Sequence, residues 1–102
     1  MADPTLLEQT IEAAKSVGGN IPSDLANEMG LLIKDLEEAK STLFVRTAEA
    51  RPMIERCKNA ADALQAAAAE GWNDNARTSF GDFQRAVAKL RNTILVRTQK
   101  AT

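Results

Sequence analysis

The chain has 102 residues, 44% of them apolar and 26% charged, which is the composition of one ordinary globular domain and not of a disordered segment. Thirteen basic and fourteen acidic residues leave a net charge of −1, so no basic field points to nucleic acid or an anionic membrane as partner. Histidine and tyrosine are absent, the single Cys57 excludes an internal disulfide, and no apolar run approaches the length of a membrane span.

Asp3-Pro4 reads as a helix start, because the carboxylate can cap free amides and proline at the first helical position sacrifices no hydrogen bond. Leu7, Ile11 and Ala14 then share one face, until Gly18-Gly19-Asn20 offers left-handed conformations that end a helix. After Ile21-Pro22, Ser23 is the expected cap of helix 2 and Asp24 sits where the helix dipole favours a carboxylate. Its seam runs Leu25, Met29, Leu32, Leu36, Ala39, Leu43, with Ile33 and Phe44 widening the stripe so that it can meet more than one neighbour.

The junction from Thr47 to Pro52 has two readings. Proline prefers a first helical turn and drives the preceding Arg51 away from helical geometry, which predicts a break. The apolar heptad nevertheless continues in phase through Ala50, Met53, Cys57 and Leu64, as it would in one long kinked helix packed in a hairpin. Such a helix would be about 70 Å long, against a compact radius of about 13 Å for a domain of this size, and the break is the preferred reading. Helix 3 is rich in alanine and ends at Gly71, and Asn73 or Asp74 caps helix 4, whose seam is Ala76, Phe80, Phe83, Val87, Leu90 and Ile94. The large residues of helix 4 suit the small ones of helix 3. The expectation is an all-α, up-and-down four-helix bundle in a single domain, residues 1–102, with helices at about 4–17, 24–48, 52–70 and 74–100. Its core is Leu25, Met29, Leu32, Leu36, Leu64, Phe80, Phe83, Val87, Leu90 and Ile94.

Ser41-Thr42-Leu43-Phe44-Val45-Arg46-Thr47 is echoed by Asn92-Thr93-Ile94-Leu95-Val96-Arg97-Thr98, and the same interval superposes the upstream seams: Met29 on Phe80, Leu32 on Phe83, Leu36 on Val87. This pattern suits a duplicated helical hairpin. Any two heptad helices also superpose at some interval, so chance superposition is an equal alternative.

Trp72-Asn73-Asp74-Asn75-Ala76-Arg77-Thr78-Ser79-Phe80 resembles the turn and second-helix start of the WXG100 family, in which tryptophan, any residue, glycine, then alanine and phenylalanine recur at these spacings. The resemblance implies a small secreted helical hairpin acting as a dimer. Asp74 stands where that family has glycine, and the family's C-terminal export signal, an aromatic followed closely by an acidic residue, is missing after Thr98. The alternative for Trp72 is an apolar staple that fixes the start of helix 4 on the bundle.

No enzyme is expected. Without histidine the commonest neutral-pH base is missing, Cys57 lies on an apolar stripe with Ile54, Ala61 and Leu64, and the scattered carboxylates assemble no acid, base and nucleophile set. No metal or other cofactor is expected either. Arg46 and Arg97 are unusual, each occupying a seam position that calls for an apolar side chain. They can snorkel to water, pair with Glu8, Glu12 or Glu55, or join Arg51 and two helix N-termini in an anion site. By exclusion, the expected function is that of a small interaction module: an adaptor, a chaperone or regulator, or an inhibitor that occupies a partner's surface. The proposed contact surface is the end where Leu43, Phe44, Arg46, Ile94, Leu95 and Arg97 gather, for a protein partner or for a homodimer. With no signal peptide recognisable, the cytoplasm is the expected location, although signal-less export would leave no such trace.

Overall fold

A computed structural model of the protein describes residues 4–100, and side chains from 6 to 97; the Asp3 cap and Ala101 lie outside the described residues. It is an all-α four-helix bundle: α1 Pro4–Val17, α2 Ser23–Lys40, α3 Arg51–Ala69 and α4 Asp74–Lys100, with short 3₁₀ turns at Gly18–Asn20 and Phe44–Arg46. The described chain has a radius of gyration of 13.5 Å and extents of 44 × 24 × 18 Å. This favours the break over the long kinked helix.

The helices alternate in direction, but their packing is that of two hairpins laid side by side. Glu8 near the start of α1 reaches Lys40 at the end of α2 (3.3 Å), so these two run antiparallel. Gln65 donates to Ser16 Oγ (2.8 Å), late helix to late helix, which makes α1 and α3 parallel. Three contacts in step, Asp24 with Arg77, Glu28 with Gln84 and Asp35 with Arg91, make α2 and α4 parallel as well. The seams form a square in the order α1, α2, α4, α3. α3 carries the most extensive packing, against α4 and α1, and the α2–α4 seam is the thinnest.

The core follows the heptads. Met29, Leu32, Leu36, Leu64, Phe80, Phe83, Val87, Leu90 and Ile94 are buried as expected, while Leu25 is only partly covered. Leu7, Ile11, Ala14 and Val17 add the α1 face. Small residues on α3, Cys57 and Ala61, leave room beside the two phenylalanines. The bundle also encloses Thr10, whose hydroxyl donates to Leu6 O (2.9 Å) and so avoids an unpaired buried group. Helix starts and stops partly follow the signals. Asn73 caps α4, its Oδ1 accepting from Ala76 N–H (3.2 Å), and Gly71 takes φ +111° immediately after α3, a conformation that favours glycine.

Four local expectations are corrected. Ser23 does not cap α2; Pro22 holds the cap position in extended geometry, its carbonyl accepting from Leu25 N–H (3.0 Å), and Ser23 is already helical. Gly18 and Gly19 are not left-handed, because the chain leaves α1 through a tight 3₁₀ turn and is then straightened at Ile21 by the following proline. Helix 2 stops at Lys40 and not near 48, since the hydroxyls of Ser41 and Thr42 turn back onto Glu38 O (2.8 Å) and Ala39 O (2.7 Å). Arg51 is not excluded from helix: it opens α3, whose first turn is prepared upstream, with Thr47 Oγ1 accepting from Ala50 N–H (3.4 Å).

Candidate interaction surface

The stretch from Ser41 to Ala50 links α2 to α3 across the end of the bundle, and α4 runs on past the point where α2 stops. The expected surface residues therefore part company. Leu43 points outward and is 79% exposed, Phe44 is half-buried against the core, and Val45 is buried. On α4, Ile94 is buried, whereas Leu95 and Val96 are each about half exposed. Of the apolar residues at this end, Leu43, Leu95 and Val96 are thus the exposed ones.

Between α2 and α4, just below this end, lies a groove of about 240 Å³. Its floor is Leu36, Ala39, Val87, Leu90 and Ile94; Leu95 and Thr42 stand at its open end, and Asp35, Glu38 and Arg91 line its rim. At its rim Arg91 reaches across from α4 to Asp35 on α2 (3.7 Å). Leu31, 61% exposed, continues the same helical stripe as Glu28, Asp35 and Glu38 toward the α2 N-terminus. Sequence patterning missed this groove and Leu31, because the seam assignment says which face is apolar and not how far apart two helices stand.

The arginines do not form the anion site considered from sequence. Arg97 is bound by Glu49 and Arg51 lies 3.9 Å from Glu55, each neutralised locally, while Arg46 is exposed on the linker. Glu8 is engaged by Lys40, so the carboxylate that meets a seam arginine is Glu49, a linker residue that the heptad pattern does not single out. These are exposed pairs, each worth at most about 1 kcal/mol. Asp24 is held below its ordinary value chiefly by the hydrogen bond from Arg77, which favours the carboxylate form at the α2 N-terminus.

Cys57 is fully buried, and desolvation pushes its thiol up to about 12. At neutral pH it is a protonated core side chain. Trp72 meets Phe80 edge-on, centroids 6.2 Å apart at 68°, and so staples the start of α4 to the core. Among the described residues no group of three or more Cys, Asp or Glu side chains could hold a metal ion, and no helix is long and apolar enough to cross a membrane. Comparison of the chain with protein-family models, curated proteins and solved structures gave no match.

Proposed function

We propose that this protein is a small helical interaction module, of the adaptor, regulator or inhibitor type, which binds a protein partner through the open end of the α2–α4 seam. The observation that carries this reading is the groove itself: an apolar floor left open beside Leu95, with exposed Leu43 and Val96 at the same end and a charged rim to fix orientation. Leu95 and Leu43 are the contact residues, Phe44 and Ile94 support them from below, and Arg46 and Arg97 stand at the margin. A helix offering leucines one turn apart has the right form for such a groove. The protein is titrated with an amphipathic helical peptide of that pattern while its amide and methyl resonances are followed. Shifts centred on Leu36, Val87, Leu90 and Ile94, lost when Thr42→Trp obstructs the groove, are expected. If the peptide perturbs no groove residue, this reading falls.

A further inference from the structure

Resting on that reading of the α2–α4 seam, we infer that the occupant is a second copy of this chain, docked about a two-fold axis parallel to the helices. The outer face of the seam is electrically divided. On α2 it presents Asp24, Glu28, Asp35 and Glu38, with Lys34 at its far edge as a single opposing charge; on α4 it presents Arg77 and Arg91, which also bridge to Asp24 and Asp35 within the chain, with Lys89 and the Arg85–Asp82 pair beyond them. Two copies meeting on this face can be related by either of two axes. An axis across the helices sets α2 on α2 and α4 on α4, acid on acid and base on base. An axis along the helices sets α2 on the partner's α4, so each acidic stripe meets a basic one.

Shape agrees with charge. The register that pairs Glu28 with Gln84 and Asp35 with Arg91 brings Leu31 level with Val87, beside exposed Ala88, and Ala39 level with Leu95. In the axial arrangement exposed Leu31 settles over the partner's Ala88, an exposed position with no long side chain of its own. Leu95 comes to the mouth of the other copy's groove, and each contact occurs twice. An α2 of 18 residues is about 27 Å long and two adjacent helices are about 20 Å wide, giving about 500 Å² per copy, or about 1,000 Å² in all. That lies at the lower bound of a specific interface, so the dimer is weak and reversible.

Sedimentation of the wild-type chain over a wide concentration range is expected to show monomer passing to dimer. Leu31→Ser, a change at an exposed site, weakens the dimer by about tenfold or more while the helical circular dichroism and unfolding midpoint are kept. Orientation is read by cysteine pairing, with buried Cys57 too protonated to compete. Mixing Leu31→Cys chains with Ala88→Cys chains yields a disulfide-linked pair, whereas Leu31→Cys alone does not pair with itself. A wild-type chain that stays monomeric, a dimer indifferent to Leu31→Ser, or self-pairing of Leu31→Cys each overturns the inference. A monomer that still takes the helical peptide into its groove refutes only the second copy as occupant, and a monomer that ignores the peptide refutes the binding surface too.

Discussion

The Ser41–Ala50 stretch and its echo beginning at Asn92 differ little in side-chain chemistry, yet one is a linker of turns and the other, through Lys100, is helix. Their insides and outsides are exchanged. Leu43 is exposed where Ile94 is buried, and Val45 is buried where Val96 is half exposed. Hydrophobicity alone therefore did not choose the conformation. In the first stretch the hydroxyls of Ser41, Thr42 and Thr47 bind carbonyls three residues back and compete with the helix ladder, and Thr47 also caps the turn that leads into α3. In the second, Thr93 donates four residues back to Lys89 O (2.8 Å), a bond that a helix accommodates. The surroundings weigh further: the first stretch must carry the chain from α2 to α3, on the diagonal of the square, and Pro52 comes directly after α3 opens.

Truncation at the first exchanged position should give the largest contrast. Ile94→Ala is expected to cost about 2 to 5 kcal/mol in denaturant unfolding, against no more than about 0.5 kcal/mol for Leu43→Ala. Equal costs would mean that the two stretches share one conformation. A sharper probe is the isosteric pair at the second position. Val45→Thr buries a hydroxyl and should lose about 1 to 3 kcal/mol, while Val96→Thr stays within about 0.5 kcal/mol. The hydroxyls themselves can be separated: Thr47→Ala removes the side-chain bond to Ala50 N–H ahead of α3 for up to about 1 kcal/mol, whereas Thr93→Ala, in mid-helix, should be neutral or slightly stabilising because alanine is the better helix former. Thermal midpoints that rank these two the other way round would contradict the role of the Thr47 hydroxyl in the turn before α3. The smallest effect belongs to the bridge between the stretches. Glu49→Gln leaves Arg97 unpaired at a cost below about 1 kcal/mol that should shrink further in high salt.

Periodicity made the four helices and most of the core legible, since every large seam residue from Met29 to Ile94 that was assigned to the core is buried. The cap at Asn73 and the stop at Gly71 were legible too, each being a local choice by one residue. The end of α2 was not. The apolar pattern runs on through Leu43 and Phe44, and only the balance between side-chain and main-chain hydrogen bonds stops the helix at Lys40. Of the residues proposed for the surface, Leu43 and Leu95 are exposed while Ile94 is covered, because an apolar triplet says nothing of which member faces inward. The groove was illegible for a related reason: it depends on how closely two parallel helices that are far apart in sequence pack along the thinnest seam of the bundle.

The side-by-side arrangement of two hairpins also orders the events of folding. α3 and α4 are joined by the short turn from Glu70 to Asn73, share the most extensive seam and contain both buried phenylalanines, so they pair at the lowest loop-closure entropy. The α1–α3 seam joins segments separated by the whole of α2 and its linker, and it rewards the chain only after that long loop has closed. The α3–α4 hairpin is then the nucleus onto which α1 and α2 condense. Truncations at Phe83 or Leu64 should slow refolding, while those at Leu7 or Ile11 should mainly hasten unfolding.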